Sequence, residues 1–216
     1  VQSRGTNPIV TAVIFDFGGV ITSSPFEAFA AYEETAGLPP GFIRRINSTN
    51  PDTNAWARFE RSEIDRDTFI AEFEAEGRAL GHPVDGHRVL ACLAGELRPG
   101  MVRTLDLLSD EGYLLGCITN NVSGHGGPDP DVLARFDVVI ESSRVGLRKP
   151  DPAIYLMACE RLGITPREAV YLDDLGINCK PARALGMTTI KVESEDQALR
   201  DLASALNPGS SPSGSP

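Results

Sequence analysis

The sequence predicts an α/β protein of three layers, a parallel sheet with helices on both faces, with a helical cap inserted after the first strand. Three observations predict it. An apolar run at residues 9–15 (IVTAVIF) reads as a buried strand and stops at Asp16, just ahead of Gly18-Gly19. From about residue 22 to 97 the pattern turns helical and acidic, with Pro39-Pro40 and Asn50-Pro51 breaking it into pieces. After Arg98-Pro99-Gly100, strand-like and helix-like segments alternate to about residue 192, which implies a parallel sheet covered on both faces.

Taken in order, the inserted segment carries Phe69 and Phe73 at i, i+4, on one helical face. A helix at about 101–110 precedes a strand at 113–118, and a second strand at 137–140 follows a Gly/Pro-rich loop. The next helix spans 152–162, with Asp151 as N-cap and Pro152 at the first helical position, and its Ile154, Ala158 and Leu162 recur on one face. A strand at 169–172, a helix near 178–185 and a strand at 187–192 complete the alternation. The expected organisation is a core of residues 1–21 and 98–206, a cap of residues 22–97, and a Gly/Ser/Pro-rich disordered tail at 207–216.

Composition narrows the function. With 216 residues the chain can hold one sizeable core and a smaller appended unit. A formal charge of −10 argues against nucleic-acid binding, which needs a basic footprint, and requires that an anionic substrate be held by local positive groups. Cys92, Cys117, Cys159 and Cys179 form no C-x-x-C pair and read as free thiols of a reducing compartment. The three histidines lack zinc-ligand spacing with them. No apolar run approaches membrane-spanning length, so a cytoplasmic protein without a membrane partner is expected.

Open parallel sheets bind ligands beyond the carboxyl ends of their strands. Four such ends carry polar clusters. Asp16-Phe17-Gly18-Gly19-Val20 delivers a carboxylate into a turn whose amides can approach an anion, although a plain Asp-Gly turn would look the same. Thr119-Asn120-Asn121 offers donors for phosphate oxygens, or a polar turn. Lys149, ahead of a helix, suits a developing oxyanion or a phosphate, or is a solvated lysine; its neighbour Arg148 reads as solvated. Asp173-Asp174 ends a buried strand, where a hard cation such as Mg2+ would relieve the repulsion, unless the pair caps the next helix.

The order nucleophilic Asp, Thr/Asn, Lys, paired Asp resembles the four motifs of the haloacid dehalogenase-like superfamily, over about residues 9–192. Residues 138–155 (VVIESSRVGLRKPDPAIY) and 171–187 (YLDDLGINCKPARALGM) are similar to the N-terminal phosphatase domain of soluble epoxide hydrolases and the related domain fused to some acyl-CoA dehydrogenases. The resemblance implies a Rossmann-like core and a Mg2+-dependent phosphatase acting on a small phosphorylated metabolite. Asp16 would form an aspartyl phosphate. Asp16, the Gly18 carbonyl and Asp174 would hold Mg2+, with Asp173 supporting them. Thr119, Asn120 and the Phe17-Gly18 turn would bind the phosphoryl group, and Lys149 would neutralise its charge. Trp56 and Phe59 are the cap aromatics that could face the site, though both fit a cap core.

One position departs from the pattern. Phosphatases of the superfamily usually carry a second Asp two residues after the nucleophile, and this chain has Gly18. A proton shuttle is worth about 10²–10⁴ in rate, so two alternatives stay open: a phospho-ligand-binding protein with little turnover, and a 2-haloacid dehalogenase. Leaving groups of low basicity, such as anomeric or acyl phosphates, would need the missing acid least. Substrate choice would lie in the cap and the loop 122–130. There His125 reads as a solvated loop residue, and His82 and His87 as hinge residues.

Overall fold

A computed structural model describes residues 9–122 and 129–207. The segments 1–8 and 208–216, nearly all of the expected tail, and residues 123–128, with His125, lie outside the described residues.

Five parallel strands form one sheet: β1 (Ala12–Phe15), β2 (Leu114–Thr119), β3 (Val138–Glu141), β4 (Ala169–Asp173) and β5 (Thr188–Lys191), in spatial order β3-β2-β1-β4-β5. β1 is shorter than its apolar run because pairing starts only at Ala12, opposite Leu114 on one side and Ala169 on the other; Ile9 is 83% exposed. Alternate side chains of a strand point to opposite faces. Val13 and Phe15 therefore pack under α6 (Pro99–Asp110) and α11 (Glu195–Leu206), through Met101, Leu105, Ala198 and Leu202. Ala12 and Ile14 pack on the opposite face under α9 (Pro152–Leu162) and α10 (Gly176–Leu185), through Ile154, Ala158 and Ala182. Both faces of β1 are covered, which is why it reads as an unbroken apolar run.

The inserted helices are α1 (Pro25–Ala36), α2 (Phe42–Ser48), α3 (Ala55–Glu60), α4 (Arg66–Ala79) and α5 (Gly86–Ala91). They share a cluster of their own, with Phe29, Phe42, Ile43, Phe59, Phe69 and Phe73 buried, each side chain contributing about 1.5–3 kcal/mol of hydrophobic burial. The two linkers to the core run side by side: Ser23 N donates to Glu96 O at 2.8 Å and Arg98 N to Ile21 O at 2.8 Å.

α9 has the predicted bounds, with Asp151 accepting from Ala153 N and Pro152 at the first turn. α10 starts at Gly176, two residues before the expected position. α11 falls beyond the predicted alternation, yet its start is marked by a capping box in which Ser194 and Gln197 bond each other's backbone.

Candidate active site

The chain runs from β1 to β2 and β3 on one side, then crosses back to β4 on the other. β1 and β4 therefore flank the switch point of the sheet, where loops diverge and leave a crevice. Asp16 ends β1 and Asp173 ends β4, so both carboxylates reach that crevice.

After Asp16 the backbone makes a tight turn over Phe17–Ile21. Gly19 sits at φ +77°, and a Cβ there would lie 2.2 Å from Asp174 Oδ2, so only glycine lets the turn lie against that acid. Gly18 is in ordinary extended geometry, and a Cβ on it would meet nothing within 4 Å.

After β2 come α7 (Pro130–Leu133), β3 and α8 (Ser142–Val145), and Lys149 reaches this crevice from the loop between α8 and α9. Its Nζ lies 2.7 Å from Asp16 Oδ1 and 2.9 Å from Asp173 Oδ2, and the residue is 1% exposed. Asp16 Oδ1 also accepts from Phe17 N at 2.7 Å. Asp173 is saturated: it accepts from Lys149, the Tyr171 hydroxyl, Leu175 N at 2.8 Å and Asn178 Nδ2 at 3.1 Å. Asp174 Oδ2 accepts from Ser24 Oγ at 2.9 Å. The acidic pair does not cap α10, whose N-cap Leu175 makes no side-chain cap bond.

Burial pushes the Asp16 carboxyl up; Lys149 opposes the shift, and Asp173 and Asp174 add to it. Burial works against the charge on Lys149, but Asp16 and Asp173 outweigh it and hold the ammonium's pKa above the ordinary lysine value. Burial also raises Asp174, reinforced by Asp173 and opposed by Ser24. One oxygen each of Asp16, Asp173 and Asp174 lies within 4.8 Å of the others. Three close carboxylates face one ammonium, and all the donors are hard oxygens. That set fits a divalent cation of the Mg2+ type, which would relieve the repulsion that raises Asp16 and Asp174.

Other expected site residues arrive in different roles. The Phe17 side chain is packed into the core with Val13 and Phe15, so only its backbone is available to a ligand. Thr119 is buried at the end of β2, its hydroxyl without a hydrogen bond among the described residues. The Asn120 amide is committed: Oδ1 accepts from Lys149 N at 2.8 Å and Nδ2 donates to Lys149 O at 3.0 Å. Phe59 is cap core, stacked on Phe69 at 4.6 Å, and Trp56 packs edge-on to Phe69.

Two expectations are corrected. Arg148 is not solvated: its Nε holds Glu60 Oε2 at 2.6 Å and its NH1 donates to Pro51 O, because the cap lies over it. His82 is not at the linkers; it packs edge-on to Phe42 inside the cap.

The sequence reading missed Ser24, Glu60, Tyr171 and Asn178. Tyr171 was within reach, since it lies two residues before Asp173 on one strand and so shares its face. The others carry no local signal.

The fold and this cluster define a class of hydrolase-like α/β protein that gathers carboxylate oxygens at the sheet's switch point. The chain belongs to the haloacid dehalogenase-like hydrolases: the family model matches residues 10–186. It is 34% identical over 202 residues to acyl-CoA dehydrogenase family member 10 of Mus musculus, covering 90% of this chain and 19% of that protein. It is 31% identical over 210 residues to bifunctional epoxide hydrolase 2 of Sus scrofa, covering 88% of this chain and 38% of that protein. The chain thus spans less than two fifths of either relative. In fold it is similar to a HAD family enzyme of Bacteroides thetaiotaomicron solved with magnesium and inorganic phosphate, at a TM-score of 0.58 and 18% identity, over 85% of this chain and 94% of that one.

Proposed function

We propose that this hydrolase is a Mg2+-dependent phosphomonoesterase that works through an aspartyl phosphate on Asp16, with a small phosphorylated metabolite as substrate. The buried Lys149 ammonium bonded to both Asp16 and Asp173 carries the reading, because it is the one positive charge held at the crevice among the described residues. In a chain of net charge −10, an anionic substrate needs such a local group.

The Lys149 and Phe17 bonds to Oδ1 fix the orientation of the Asp16 carboxylate. An Asp16 oxygen attacks phosphorus, the ester P–O bond breaks, and the leaving alcohol takes its proton from solvent. Water then hydrolyses the aspartyl phosphate and releases inorganic phosphate. Lys149 neutralises charge on the phosphoryl oxygens, and Thr119 donates to one of them. Asp16, Asp174 and the Gly18 carbonyl would hold Mg2+, with Asp173 keeping Lys149 in place. Mg2+ bound there supplies further neutralisation of the phosphoryl charge. With no acid at Gly18, anomeric and acyl phosphates are the favoured substrates. Cys117, Cys159 and Cys179 are buried free thiols, which agrees with a cytoplasmic location.

The open space at Gly18 favours one second reading, a phospho-ligand-binding protein with little turnover. A phosphatase panel with Mg2+ or EDTA, run beside Asp16→Asn, decides. The proposal expects phosphate release that needs Mg2+ and disappears in a folded Asp16→Asn. Phosphate binding without release would establish the second reading, and halide release in EDTA would point to dehalogenation.

A further inference from the structure

Resting on the phosphatase reading, we infer that Glu60, at the end of cap helix α3, is a positioning residue for Lys149 that ties the cap's position to assembly of the phosphoryl site.

Glu60 is a carboxylate at 6% exposure, a placement that needs partners to be tolerated. It takes them from both units. Oε1 accepts from Trp56 Nε1 at 2.9 Å within the cap. Oε2 accepts from Arg148 Nε at 2.6 Å and Asn120 Nδ2 at 3.3 Å, both in the core. These two core residues bracket Lys149. Arg148 precedes it in the chain, and Asn120 clamps its backbone N–H and C=O. The Lys149 side chain then ends on Asp16 and Asp173. An unbroken series of polar contacts therefore runs from Trp56 in the cap to the nucleophile.

The seating is local and redundant. Arg148 NH1 donates to Pro51 O at 3.0 Å, and Ser62 Oγ donates to Ser143 O at 2.9 Å, so cap residues 51–62 rest on core residues 143–148. Lifting the cap would return Glu60 and Arg148 to water and leave the Asn120 amide without its carboxylate acceptor. With the cap seated, the Asn120 clamp is stiffer and the ammonium is held where charge develops.

Trp56 is the chain's single tryptophan and donates to Glu60, so its emission reports on this contact. The experiment compares wild type, Glu60→Gln, Glu60→Ala and Arg148→Ala by steady-state kinetics with Mg2+, by melting temperature, and by Trp56 emission during titration with inorganic phosphate. Loose positioning of Lys149 should lower kcat of Glu60→Ala about ten- to a hundredfold, with KM moving less, and Glu60→Gln should lie between. Phosphate should shift Trp56 emission in the wild type and not in Arg148→Ala. A residue serving only stability would lower the melting temperature and leave kcat per folded molecule unchanged. Wild-type kcat and KM in folded Glu60→Ala, or in Arg148→Ala if the former does not fold, would overturn this inference alone. A wild type that releases no phosphate from any ester would overturn the phosphatase reading, and this one with it.

Discussion

The Lys149 ammonium and the Asp16 carboxylate form an ion pair of 2.7 Å in the interior of the protein, at the end of the central strand. Its energetics are set by burial: neither charge could sit there alone, and Asp173 is the second anion that keeps the lysine protonated. Lys149→Met would leave two desolvated carboxylates without a counter-charge. Breaking a buried pair typically costs about 3–5 kcal/mol, so chemical denaturation should show a loss of that size, together with loss of turnover. Adding Asp16→Asn to Lys149→Met removes one of the stranded charges and should restore part of the stability. A Lys149→Met variant as stable as wild type would refute the buried pair.

The two glycines after the nucleophile should respond in opposite ways. Gly18 has ordinary backbone angles and open space at its Cβ, so Gly18→Asp should fold normally. If a proton shuttle is what the site lacks, phosphatase kcat should rise, by up to about 10²-fold at the low end of the acid–base contribution. Gly19→Ala combines a positive φ with a Cβ inside the Asp174 carboxylate, so it should displace that acid and abolish Mg2+-dependent activity. No gain in Gly18→Asp would mean that proton transfer does not limit the reaction.

Glu76 predicts a pH dependence of cap stability. Its Oε1 accepts from Ala55 N at 2.8 Å, but Oε2 is buried with no hydrogen bond, and burial pushes the carboxyl above its ordinary 4.5. A raised folded-state value means the native form holds its proton to higher pH than the unfolded chain. Stability from this group is present below the ordinary value and is lost as pH rises through the folded one. Glu76→Gln removes that loss. Its melting temperature should match wild type near about pH 4 and exceed it near neutrality, as thermal scans against pH would show. Equal pH profiles for the two proteins would refute the assignment.

Thiol reactivity checks the burial of the strands. Burial raises all four thiols, Cys159 and Cys179 to about 11, and Cys117 sits in the sheet with Asp16 also raising it. The half-buried Cys92 should be the thiol that reacts promptly with a disulfide reagent near about pH 8, and all four should react after denaturation. A second fast thiol in the native protein would contradict the packing of the core.

Much of this molecule is legible without coordinates. The α/β alternation, the bounds of α9 and the polar clusters that end β1, β2 and β4 follow from patterns that repeat within a few residues, because a strand or helix buries the same face again and again; the Lys149 cluster, expected at a strand end, comes instead from the loop after α8. Sheet order then brings Asp16, Lys149, Asp173 and Asp174 together, since each follows a strand or loop at one edge of the same crevice. The tertiary structure alone decided the rest. The pairing of Glu60 with Arg148 joins residues 88 positions apart on two separately packed units, and Asn120 turned its amide to the Lys149 backbone. Such contacts depend on how finished elements dock, and a buried charge finds its partner by distance in space, which no local periodicity encodes.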